Sequence, residues 1–209
     1  MPGMLDYFVL LNAPRRPWLD LEWLKERFLA LCAQTHPDHT HNAGEAEKAA
    51  AQRGFTELNA AWQCLREPKE RLGHLLELET GTRPGETQDV PAAAMDLFLE
   101  AGRVCREADV FLAARGKMSS PLLRAEKFGQ GMELTERLQE LEHRIGRRRE
   151  ELLGELEGMN AAWEAAPAPG SASRAAALPL EGLEGMCRMF SYMARWTGQI
   201  QERVARLSF

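Results

Sequence analysis

The sequence predicts an all-α protein built as two successive helical parts. Three observations carry that prediction. Strand signals are scarce, with two tyrosines in 209 residues and no alternating apolar run bounded by turn residues. Apolar residues instead recur at three- and four-residue spacing along nearly the whole chain. Stretches rich in proline and glycine cut that periodicity into lengths suited to helices, the largest break being TGTRPGETQDVP at 80–91.

The first apolar segment, LDYFVLL (5–11), runs into a loop marked by Pro14 and Pro17. A second helix is expected from Leu19 to about Thr35. Asp20 sits near its start, and Leu21, Leu24, Phe28 and Leu31 share one face. Pro37 disfavours helical geometry at His36, so this helix stops there. A third helix is expected over about 44–66, with Phe55, Leu58, Ala61, Trp62 and Leu65 on one face. Pro68 then suits the first turn of a fourth, because its missing N–H would be unpaired there anyway. Beyond the linker lie three longer patterns, at about 92–116, 121–164 and 179–207. A flexible loop is expected at 166–177, APAPGSASRAAA.

Leu134, Leu138, Leu141, Ile145 and Leu152 follow heptad spacing in the long middle pattern. Met186, Phe190, Met193, Thr197, Ile200, Val204 and Leu207 do so in the last. Such stripes bury against neighbouring helices, which predicts an antiparallel bundle or a short coiled-coil arm, with Trp163, Phe190 and Trp196 as anchors. The expected domains are therefore 1–79, a linker at 80–91, and a helical bundle at 92–209.

Apolar residues make up 44 % of the chain and charged residues 27 %, as in soluble globular proteins. The net charge of −5 is spread over both parts, and neither part forms a basic arm, so no nucleic-acid partner is expected. Cys32, Cys64, Cys105 and Cys187 are dispersed with no CxxC pair, which excludes a zinc ribbon and a disulfide scaffold. The N-terminal stretch lacks a basic leader before an apolar core, and no apolar run nears the ~18 residues needed to span a bilayer. A reduced, cytoplasmic compartment without a membrane partner is expected, as a monomer or weak dimer. GRRREE (146–151) reads as a solvated, mixed-charge helix face, and Gly154 with Gly158 carries the spacing of close helix packing.

The stretch QTHPDHTH (34–41) concentrates three histidines, an aspartate and a proline. His36, Asp38 and His39 resemble the last part of the HxHxDH signature of binuclear metal hydrolases. The position of its first histidine is Gln34, however, and the neighbourhood is helical rather than strand-fed. Imidazoles at His36, His39 and His41 are chemically able to hold zinc, yet no distant ligands complete a shell. No GxSxG elbow, glycine-rich phosphate loop or carboxylate pair stands out, so no catalytic residue, metal or cofactor is assigned and the protein is not expected to be an enzyme. A merely solvated loop accounts for the helix stop but not for the flanking pattern.

That flanking pattern is an apolar first segment beginning DYF, an amphipathic helix, His36-Pro37-Asp38, and a second long helix. Together they resemble a J-domain. Within that group, FTELNAAWQCLREPKERLGHLLEL (55–78) is similar to the HscB-type J-proteins: Asn59, Ala61, Trp62, Leu65, Pro68, Arg71, Leu75 and Leu76 fall on their pattern. The DYFVLL opening and Arg27-Phe28 match as well. The resemblance covers about residues 4–79 by motif and the remainder by architecture. It implies an N-terminal J-domain followed by a C-terminal helical bundle, acting as a co-chaperone in iron–sulfur cluster assembly.

The same resemblance implies that His36, Pro37 and Asp38 bind a DnaK-type chaperone and stimulate its ATPase, aided by Lys25 and Arg27 on the second helix. Glu22 and Glu26 oppose the usual positive sign there, and His39 stands where lysine commonly follows. For the client, an iron–sulfur scaffold protein, Met95, Asp96 and Phe98 fall on the Met, Glu and Leu of an apolar and acidic patch. Ala94 replaces its preceding leucine, and Leu99 its second acidic residue. Bundle core is the alternative reading of Met95, Phe98 and Leu99. A J-protein or adaptor with an unrelated client remains open, as does a metal-dependent hydrolase at His36, Asp38 and His39.

Overall fold

The computed structural model describes residues 5–35, 44–85, 91, 94–116 and 120–208. Its elements, among the described residues, are eight helices and no strand. They are α1 (Tyr7–Leu10), α2 (Leu21–Thr35), α3 (Glu45–Arg66), α4 (Pro68–Thr80), α5 (Met95–Gly116), α6 (Pro121–Ala165), α7 (Arg174–Ala177) and α8 (Leu180–Ser208). The chain gathers into two compact units, Met1–Gly85 with Leu153–Cys187, and Glu86–Leu152 with Arg188–Phe209. The expected split into 1–79, 80–91 and 92–209 follows chain order, whereas packing takes 153–187 into the first unit.

In the first unit, local chemistry sets most helix ends. Asp6 caps α1, accepting from the N–H groups of Phe8 and Val9 at 2.9 and 3.3 Å. Asp20 does the same for α2, accepting from the Trp23 N–H at 2.9 Å. Glu45 and Glu47 occupy the first turn of α3, where the helix dipole favours negative charge. Pro68 opens α4, and Gly81 closes it in the left-handed region at φ 77°, a conformation that suits glycine.

α2 and α3 pack as a helical hairpin, with the Phe28 and Trp62 rings stacked at 5.2 Å. Leu24, Leu58, Ala61 and Leu65 are buried between them and their neighbours. Leu21 departs from the expected stripe: it lies in the first turn and is exposed. α1 is held against α4 by His74, whose Nε2 accepts the Tyr7 N–H at 3.1 Å beneath a stacked Phe8 ring. Arg71 is wholly buried, and its guanidinium donates to the carbonyls of Pro17 and Leu65 at 2.8 and 2.6 Å. Such a buried charge is tolerated because carbonyl oxygens surround it.

Residues 153–187 complete this unit. The Asn160 side chain clamps the Trp18 backbone, accepting its N–H at 3.0 Å and donating to its carbonyl at 3.1 Å. Trp163 and Leu183 join the core. The segment 166–177, expected as a flexible loop, instead ends in the helical turn α7 and is pinned by a buried ion pair. Arg174 donates twice to the Glu79 carboxylate, at 2.8 and 2.9 Å, and once to the Pro167 carbonyl at 2.6 Å. Both side chains are under a tenth exposed.

The second unit packs α5, the first two-thirds of α6 and the later part of α8. The α6 stripe Leu134, Leu138, Leu141, Ile145 and Leu152 is buried, and so are Phe190, Met193, Ile200 and Leu207 of α8, whereas Met186, Thr197 and Val204 of the same expected stripe are only half-buried. Phe111 fits over Gly131, where a Cβ would lie 3.3 Å from its ring edge. Polar ties close the bundle: Arg144 to Glu100 at 2.7 Å, Arg203 to Asp109 at 2.7 Å, and Gln201 to Glu142 at 2.6 Å. The run 146–151 is a locally neutralised face, with Arg147, Arg148 and Arg149 beside Glu140, Glu151 and Glu150.

Candidate functional site

The first candidate surface is the outer side of α2. Positions four and three apart bring Trp23, Arg27, Ala30 and Gln34 onto one exposed stripe, about a quarter-turn from the inward row of buried Leu24 and half-buried Phe28 and Leu31. The Arg27 guanidinium lies over the Trp23 ring at 5.5 Å, a cation–π contact that restrains both side chains while leaving them accessible. Lys25 does not share this stripe. Two residues from Arg27, it projects from another side of the helix and sits 3.7 Å from Glu22. The two expected chaperone-binding cations are therefore not brought together. Trp23 was not singled out by the sequence reading, although its offset of one from the inward row is a signal that it faces outward.

His36, Pro37 and Asp38 lie outside the described residues, as do His39 and His41. α2 ends at Thr35, the residue before the tripeptide, and the Thr35 hydroxyl donates to the Leu31 carbonyl at 2.9 Å in its last turn. Among the described residues, no group of three His, Cys, Asp or Glu side chains is placed to hold a metal ion. No helix of the described residues is long and apolar enough to cross a membrane.

The second candidate surface is the start of α5. Met95, Asp96, Phe98 and Leu99 are all exposed, with Met95 and Phe98 each at 39 % and Leu99 at 59 %. The bundle-core alternative does not describe them; the adjacent Ala94 takes the buried position. Phe98 is partly anchored, its ring tilted against Trp196 with centroids 6.1 Å apart. Three large apolar side chains within one helical turn and a flanking carboxylate form a patch of the kind that binds protein partners.

Two of the thiols are held in the protonated form. Burial pushes Cys64 and Cys187 up to about 11, and their Sγ atoms rest on the backbone carbonyls of Glu70 and Lys69.

No family model matches the sequence. Among solved structures, the chain is similar to the chaperone HscB from Vibrio cholerae, with 19 % identity and a TM-score of 0.62 over 97 % of this chain and 99 % of that one. It is similar also to the human co-chaperone protein HscB, with 19 % identity and a TM-score of 0.58 over 98 % of this chain and 83 % of that one. The likeness runs along nearly the whole chain. It shows that this chain shares their all-α fold.

Proposed function

We propose that this chain, which has the fold of the HscB co-chaperones, is itself a J-type co-chaperone that binds a DnaK-type ATPase and stimulates its hydrolysis of ATP. The observation that carries the reading is the whole-chain likeness to HscB together with His36-Pro37-Asp38 directly after α2. Pro37 fixes its own φ, so the tripeptide loses little ordering entropy when it is bound. Asp38 is suited to accept a charge-assisted bond from a partner arginine or lysine. The chain performs no bond chemistry; it binds one state of the ATPase better and so shifts its population.

On α2 the contact is less cationic than the resemblance leads one to expect. Arg27 stands with Trp23, Ala30 and Gln34, so aromatic and guanidinium contact supplements charge there. Steady-state ATPase of a DnaK-type chaperone from the same cell tests the proposal. The wild type raises the rate, and His36→Gln abolishes the effect while the far-UV circular dichroism and melting temperature stay unchanged. Absence of stimulation with every such chaperone rejects it.

For the client, exposure of Met95, Asp96, Phe98 and Leu99 supports delivery of an iron–sulfur scaffold protein by the α5 patch. A second reading, an unrelated client at the same patch, draws on Leu99, an exposed apolar side chain where the resemblance has an acidic one. Pull-down with a cluster scaffold separates the two. Scaffold retained by the wild type and lost in Met95→Ala/Phe98→Ala supports the first, and no retention by the folded wild type supports the second.

A further inference from the structure

We propose that a groove between α5 and the first part of α6 docks an acidic amphipathic helix of a partner protein. The groove encloses about 570 Å³. Its floor is apolar, formed by Phe111 and Leu134, with Val110 standing 70 % exposed at its wall. Its rim is basic: Arg103 and Arg106 come from α5, and Lys127 and Arg137 from α6. Among the described lining residues, Glu107 and Glu133 supply the only carboxylates, so a chain of net charge −5 concentrates an excess of positive charge here.

The four cations are not equivalent. Arg103 and Arg137 both bind the Glu107 carboxylate, at 3.0 and 2.7 Å, and hold it below the usual carboxylate range, Arg137 chiefly. Among the described residues Arg106 has no carboxylate partner, and the Lys127 ammonium donates to the Gln130 amide oxygen at 3.2 Å and has no carboxylate partner either. These two are the charges left for a ligand. On α6 the lining runs from Lys127 to Arg137, roughly 15 Å along the helix axis, which suits about three turns of a third helix laid between the other two. A helix of the partner would place apolar side chains over Val110, Phe111 and Leu134 and carboxylates toward Arg106 and Lys127. Met95 and Leu99 are not part of the lining, so the inference stands apart from the client patch.

Fluorescence anisotropy of the full-length protein tests it. The probe is a labelled synthetic peptide of about three helical turns, with leucines at three- and four-residue spacing flanked by glutamates. Saturable binding that weakens with added salt is expected, with a loss of roughly tenfold or more in Arg106→Glu/Lys127→Glu. Val110→Asp and the neutral Arg106→Gln/Lys127→Gln pair should each weaken binding too, with melting temperatures unchanged because Val110 is 70 % exposed and neither cation has an internal ion pair to lose. Four results would overturn the proposal: no binding of the acidic peptide, equal binding of its lysine-for-glutamate counterpart, undiminished binding by all folded variants, or binding to phosphatidylserine vesicles in place of the peptide.

Discussion

His74 shows how a single side chain ties the first unit to pH. Its Nε2 accepts the Tyr7 N–H, which only an unprotonated nitrogen can do. Burial holds its pKa below the usual 6.5, and the nearby Asp6 carboxylate, which favours the charged form, does not reverse that. As pH falls below about 6.5 the unfolded chain takes up a proton that the folded chain still refuses, so the unfolded form gains and stability declines. Melting temperature should therefore drop from pH 7 to 5.5, and drop less in His74→Gln, which keeps an acceptor but does not titrate. Equal slopes in the two proteins would refute this role. None of it was legible beforehand, because a histidine in PKERLGHLLELE carries no local mark of the N–H that lies 67 residues away.

At the scale of the element, heptad spacing identified the buried stripes of α6 and α8, since three- and four-residue steps place side chains on one side of a helix wherever that helix sits. Burial at the first turns was read less well. Leu21 and the Met95, Phe98 and Leu99 group continue an apolar period into first turns that remain exposed, and periodicity marks a face without revealing whether anything covers it. The Gly154–Gly158 spacing is weak evidence of close packing in a soluble helix, and nothing packs there. A Cβ at either position meets nothing within 4 Å, so no close helix packing depends on them. Both glycines then only weaken α6. Gly154→Ala and Gly158→Ala should each stabilise by about 0.5–1 kcal/mol, as measured by denaturant unfolding. Destabilisation by either would mean that something does pack there.

For the whole molecule, the packing of 153–187 with the N-terminal helices makes the first unit more than its N-terminal segment. A fragment of residues 1–85 lacks Asn160, Trp163, Arg174 and Leu183, so Glu79, the Trp18 backbone and the apolar surface beneath them lose their cover. It should melt lower than the intact chain, by about 4–8 °C for each kcal/mol lost in a domain of this size, while keeping its helices. A fragment as stable as the parent would show that the segment adds nothing. The sequence by itself determined the helical class, the seams of α6 and α8, the helix boundaries to within a few residues, and the proline-fixed tripeptide that follows α2. All of these are written in residues a few positions apart. Only the tertiary structure decided which helix ends share a core, which apolar turns stay bare, and that Arg174 pins its segment to Glu79. Those outcomes depend on partners 95 residues apart for Arg174 and Glu79 and 142 apart for Asn160 and Trp18, and no local pattern specifies a contact at that separation.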